Sequence, residues 1–235
     1  MPRTSSFSPN LQLSASVKFA PFATRVRRGY VRDSTERDLG LHLANALKGV
    51  IIPDRWPKSA VDVAVTVLEG GDEDDELDHD DAGRGGVKNV GLFNILAGCI
   101  NVAMAALADA GIDCLDLLAG GVAASVVGPD SQTTRVLDPS PAEHKEILAA
   151  CVVGFLASRD EIVEVWADGV MSGQQSDQDT QFDNLLDHSL NAARGAQNVL
   201  KEVLAESALR INGAHLSQPK IGTNDDKMKD VEMRI

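Results

Sequence analysis

The sequence predicts a single domain of mixed strands and helices, an α+β or α/β arrangement. Two kinds of periodicity carry that reading. Apolar residues fall at every second position in Leu11, Leu13, Ala15, Val17, Phe19 and again in Val61, Val63, Val65, Val67. Between these runs they fall at three- and four-residue steps, in Leu39, Leu43, Ala46, Leu47 and Val50. The first pattern lines one face of a strand and the second one face of a helix. A third observation is the charge-free stretch from Val90 to Ala108. Such a helix needs apolar surroundings on nearly all sides, which sheets supply.

Taken in order, Met1 to Ala23 alternates apolar and polar residues and reads as a half-buried strand. Arg25-Val26-Arg27-Arg28-Gly29 is a basic loop. Asp33 to Val50 reads as a helix with Ser34 as its N-cap, and Pro53 and Pro57 break the chain after it. Val61 to Leu68 is a strand with four valines on one face. Gly70 to Gly86 is a hyperacidic loop. Its run Asp72-Glu73-Asp74-Asp75-Glu76 lacks the D-x-D-x-D-G order of a calcium loop, so a solvated insertion is expected.

The helix at Val90 to Ala108 is near the length that crosses a bilayer. It is rich in Ala and Gly, however, and Asn94 and Asn101 share one of its faces before Asp109 and Gly111 close it. A buried core helix is the expectation. Strands follow near Val122–Val127, Thr134–Asp138, Ala150–Leu156 and Glu161–Ala167, spaced like an antiparallel meander. Gly173 to Thr180 reads as a linker into a long helix striped by Phe182, Leu185, Leu186, Leu190, Ala193, Ala196, Leu200, Val203 and Leu204. Periodicity stops near Gly213. One domain over residues 1–212 and a disordered tail over 213–235 are therefore predicted.

Composition narrows the function. A formal net charge of -13 opposes a surface that binds nucleic acid throughout, because phosphate contacts need clustered Lys and Arg. Aromatic residues make up only 4%, so Val, Leu, Ile and Ala must build the core. Cys99, Cys114 and Cys151 sit in apolar surroundings without metal spacing and read as reduced core residues of an intracellular protein. His42, His79, His144, His188 and His215 show no paired ligand spacing. No metal and no cofactor are expected, and no signal peptide is visible.

Several segments in a fixed order carry a resemblance. They are Trp56-Pro57-Lys58-Ser59-Ala60-Val61-Asp62-Val63 after the first helix, the helix end Ala106-Leu107-Ala108-Asp109-Ala110-Gly111, and Val136-Leu137-Asp138-Pro139. Together they resemble the RNase PH family, and within it the non-catalytic ring subunits of the eukaryotic RNA exosome. The resemblance covers Leu11 to Leu209. It implies an α+β fold of mixed sheets packed on helices, similar to ribosomal protein S5 domain 2. It implies as partners other RNase PH-like ring subunits, cap subunits, an associated catalytic nuclease, and single-stranded RNA threaded through the assembled channel. No membrane partner is implied. The location it implies is the nucleus, including the nucleolus, and the cytoplasm. Family members also begin with a basic strand pair and a G-P-R turn. Met1-Pro2-Arg3 resembles the end of that turn, so the first strands are expected to be missing and one sheet edge incomplete.

Two departures bear on activity. Active members of the family bind phosphate with a G-G-T-R motif at the start of the buried helix. Here Val90, Gly91 and Leu92 fall there, with Lys88 the nearest cation, and a further family arginine falls at Asn45. A point-charge ammonium replaces a guanidinium fork poorly. Active members also carry two aspartates after the L-D strand; these positions fall near His144 and at Ala149 or Ala150. The resemblance thus implies a subunit without catalytic residues, with Arg25, Arg27 and Arg28 as candidate RNA contacts. The competing readings are an active phosphorolytic 3'-to-5' exoribonuclease and an unrelated intracellular α/β binding protein.

Overall fold

The computed structural model describes residues 9–24, 27–70, 87, 90–128, 132–140, 143–144, 146–170 and 175–216, with side chains from 179 to 210 in the last helix. Among these residues, six strands and three long helices follow one another as β1 (Gln12–Phe19), α1 (Ser34–Lys48), β2 (Ala60–Val67), α2 (Val90–Asp109), β3 (Leu118–Val127), β4 (Thr133–Leu137), β5 (Ile147–Leu156), β6 (Glu161–Gly169) and α3 (Gln175–Leu216). The acidic loop expected at 70–86 lies outside the described residues, Gly70 apart. So does the tail from 217 onward, whereas residues 213–216 are helical and extend α3 past the expected end.

β1 and β2 pair in parallel across the α1 crossover, with Leu13 opposite Val61, Ala15 opposite Val63 and Val17 opposite Val65. Both alternating stripes therefore fall on one face, and that face packs into the core. The opposite face carries Ser14, Asp62, Ala64 and Thr66, all exposed, with the Ser14 hydroxyl donating to Asp62 at 2.8 Å. α1 is capped by Asp33, whose carboxylate accepts from the Glu36 N–H, and not by Ser34 as expected. Asp33 keeps the extended backbone a cap needs, while Ser34 already lies inside the helix.

The second sheet has the order β4-β3-β5-β6, antiparallel throughout. This corrects the meander: β5 passes β4 and pairs with β3. The composition of the strands explains it. β4 is only five residues long and mostly exposed, so it suits an edge. β3 and β5 are apolar on both faces and must be central.

The layers run from the two-stranded sheet, through α1 and α2, to the four-stranded sheet, with α3 on its far side. α2 is buried by Val90, Phe93, Leu96, Ile100, Met104 and Leu107, as the charge-free stretch requires. Asn101 spends both its polar atoms on Gly120 of β3, accepting from its N–H at 2.8 Å and donating to its carbonyl. Two glycines in β3 let the helices approach. A Cβ at Gly120 would meet the Ala97 backbone of α2 at 2.7 Å, and one at Gly121 would meet the Ser189 carbonyl and the Ala193 N–H of α3. Ser189 itself is buried and donates to the Cys151 carbonyl at 3.1 Å.

α1 is clamped to β6 by His42. Its Nδ1 lies 2.6 Å from Glu164, and its ring stacks on Trp166 at 4.5 Å, with Phe93 of α2 edge-on to that indole at 4.7 Å. His42 is thus a satisfied histidine. Cys99, Cys114 and Cys151 are free thiols, and burial pushes those of Cys99 and Cys151 up to about 11.

Candidate functional site

The first turn of α2 holds Val90, Gly91, Leu92 and Phe93, with Val90, Leu92 and Phe93 buried. Helix N-termini attract anions through unpaired N–H groups, but this turn offers apolar side chains and no charge. The first polar side chain of the helix is Asn94, just beyond this turn, whose amide donates to the Pro139 carbonyl at 2.7 Å. That bond draws the β4–β5 connection onto the start of α2. Lys88 lies outside the described residues, and Asn45 is exposed on α1.

The connection itself turns at Asp138, which takes a left-handed backbone (φ 50°) and donates its N–H to Val122. The N–H groups of Glu143 and His144 both donate to the Ser140 carbonyl at 3.0 Å. Glu143 is exposed and His144 half-buried. Ala149 and Ala150 both lie in β5, paired with Ser125 and Ala124. Their side chains go opposite ways: Ala149 faces the α3 core, and Ala150 the core beneath α2. The structure therefore brings the α2 start and the β4–β5 connection together. It supplies no carboxylate from either alanine.

A different chemistry gathers at the β1–α1 connection. Arg25 lies outside the described residues. Arg28 places its guanidinium 4.2 Å from the Phe19 ring and 2.8 Å from the Asp33 carboxylate. Arg27 and Arg32 are exposed and make no ion pair among the described residues. Lys18 at the end of β1 donates to the Tyr30 carbonyl at 3.0 Å, and Arg37 of α1 donates to the Arg32 carbonyl at 3.3 Å. Beneath them Glu36, buried, accepts the Phe19 N–H at 2.8 Å. The described part of the connection is thus braced at several points. Phe22 (74%) and Tyr30 (85%) are largely exposed. The sequence reading stopped at the arginines; the missed signal was the aromatic residue set among them in Arg27-Arg28-Gly29-Tyr30-Val31-Arg32. Among the described residues, no cluster of His, Cys, Asp and Glu could hold a metal.

The 3' exoribonuclease family, domain 1 (RNase PH), matches residues 1–113. An exosome complex component MTR3 of Chaetomium thermophilum is 49% identical over 207 residues, covering 88% of this chain and 70% of that protein. The chain belongs to the RNase PH family. The exosome complex component mtr3 of Schizosaccharomyces pombe is 28% identical over 72% of this chain and 58% of its own length, so the chain spans 58% to 70% of these two relatives. The crystal structure of rice (Oryza sativa) Rrp46 shares the RNase PH fold with a TM-score of 0.59 at 17% identity, over 86% of this chain and 78% of that one. The α+β fold implied by the resemblance is therefore the fold of the chain, and its MTR3-type relatives mark its branch of the RNase PH family.

Proposed function

We propose that this chain is a non-catalytic structural subunit of an exosome core ring, supporting 3'-to-5' RNA processing and degradation without cutting RNA itself. The observation that carries the reading is the α2 start. Where the family resemblance places a phosphate motif, Val90 and Leu92 are buried apolar side chains, and Asn94 is committed to the Pro139 carbonyl. Phosphorolysis needs an anion site and a group that assists the leaving 3' oxygen. Ala149 and Ala150 provide neither ligand nor base.

Its partners are other RNase PH-like ring subunits, cap subunits, an associated catalytic nuclease, and single-stranded RNA in the assembled channel, in the nucleus, nucleolus and cytoplasm. Within the basic connection the arginines divide in role. Arg28 braces the loop through Asp33 and Phe19, leaving exposed Arg27, with Arg25, to meet RNA phosphates. Rings close through head-to-tail contacts, so the chain should co-purify with RNase PH-like chains of similar size. A well-behaved monomer at high concentration, unchanged on mixing with those chains, would overturn the assembly. Phosphate-dependent release of nucleoside diphosphates from single-stranded RNA by the isolated chain would instead establish an active exoribonuclease.

A further inference from the structure

We propose that Tyr30 is a base-stacking platform for single-stranded RNA, flanked by Lys18, Arg27 and Arg32 as phosphate contacts. The inference rests on the reading of the chain as an RNA-path subunit and adds to it how that path would be gripped. Three observations carry it.

The first is charge. In a chain of net charge -13, the segment from Lys18 to Arg32 contains five cations and no acidic residue. Such a local excess is complementary to a polyanion. The second is exposure. Tyr30 presents 85% of its surface, with Val31 beside it at 67%, in a protein whose aromatic content is only 4%. An apolar protein partner covering this ring would also have to desolvate the surrounding cations, which costs more than the ring returns. A nucleic-acid strand offers π-faces and phosphates together, so it satisfies both.

The third is rigidity. The Tyr30 carbonyl is held by Lys18, the Arg32 carbonyl by Arg37, and Arg28 is fixed between Asp33 and Phe19. The backbone is therefore tied down on both sides of the ring. A tyrosine side chain has few rotatable bonds, so a base that stacks on it loses little to further ordering. The Lys18 ammonium lies 5.9 Å from the ring centroid, within reach of a cation–π contact. It would also sit beside the phosphate of a stacked nucleotide. Stacking of this kind tolerates any base, because every base has a π-face.

The test uses the assembled ring with two probes: a labelled single-stranded RNA, and an abasic ribose-phosphate strand of equal length. Tyr30→Ala should weaken binding of the RNA roughly 5- to 150-fold, the range expected for loss of one stacked base. It should leave the abasic strand within about twofold and the salt dependence unchanged, since no charge is lost. Tyr30→Phe should restore the RNA affinity. Arg27→Ser should weaken both probes and flatten the logarithmic salt slope by about one. If Arg27→Ser acts as expected while Tyr30→Ala changes nothing, the stacking platform is wrong and the basic contact stands. If neither variant changes binding, the RNA reading of this connection fails together with the platform. Loss of a subunit from the Tyr30→Ala ring, seen by mass, would make the aromatic ring a protein contact and overturn the proposal.

Discussion

Among the described residues, the four-stranded sheet is covered on both faces, by α2 with α1 on one side and α3 on the other, and the two-stranded sheet on one. The residues follow this difference closely. Double coverage leaves no room at the middle of β3, where Gly120 and Gly121 admit the backbones of two helices. Single coverage leaves Ser14, Asp62, Ala64 and Thr66 in water, and the end of β1 runs straight into the cationic connection. Both faces of β3 and β5 are buried where the helices close on them. The charged and aromatic groups available to a ligand sit beside the sheet that stays half open.

The largest effect should come from breaking double coverage. Gly121→Val drives side-chain atoms into the Ser189 carbonyl and the Ala193 N–H, and should cost at least about 3 kcal/mol with loss of α3 packing. The same added bulk on the open face, in Ala64→Val, should change stability by no more than about 0.5 kcal/mol. Urea denaturation of both variants measures the contrast. Equal losses would mean that the two sheets are not covered as differently as their residues indicate.

A smaller effect is expected at the junction between the open sheet and the connection. Glu36→Ala leaves the buried Phe19 N–H without its acceptor and should cost about 1–3 kcal/mol. Glu36→Gln retains an acceptor and should cost less. A Gln variant as unstable as the Ala variant would show that this hydrogen bond does not hold α1 to β1.

The thiols should distinguish the sheets more gently. Burial raises the Cys99 and Cys151 thiols of the doubly covered region to about 11, from an ordinary 9.0. The unfolded chain then loses its thiol protons first as pH rises. Their contribution to stability is complete below about pH 9 and falls away between 9 and 11. Melting temperatures at pH 8.5 and 10.5 should show this loss, and it should shrink in a Cys99→Ala, Cys151→Ala variant. At pH 8, a thiol reagent should modify Cys114, which is only partly buried, before either of them. Rapid labelling of all three would contradict it. The smallest effect is expected on the β4–β5 connection beside the α2 start: Glu143→Ala and His144→Ala should leave RNA turnover of a complete, intact complex unaltered. A tenfold loss would reveal a working site there.

Much of the first half was legible because its signals are local. The valine stripe of β2, the three- and four-residue steps of α1 and the charge-free α2 each follow from residues that are neighbours in sequence. The second half was less so. β3 begins at Leu118, four residues before the expected strand, because Leu118-Ala119-Gly120-Gly121 has the composition of a turn until two helices are seen to require its glycines. Residues 175–180 are helical although their Gln and Asp content reads as a linker. The order β4-β3-β5-β6 compares strands far apart in sequence, which spacing alone cannot do. At the candidate site, the apolar start of α2 could be read directly, whereas the separation of Arg28 from Arg27 could not. All three arginines look alike until Phe19 and Asp33 are seen to engage one of them.

The sequence by itself determined most of the strands and helices, which of their faces are apolar, and that the start of α2 reads Val90-Gly91-Leu92 with no Thr-Arg pair. These depend on side-chain period and residue identity, which the chain carries from one residue to the next. Only the tertiary structure decided that β5 lies beside β3, that Ala149 and Ala150 face different cores, and that Tyr30 stands exposed on a braced loop. Each of these depends on contacts between residues distant in sequence, which form only when apolar surfaces are buried together.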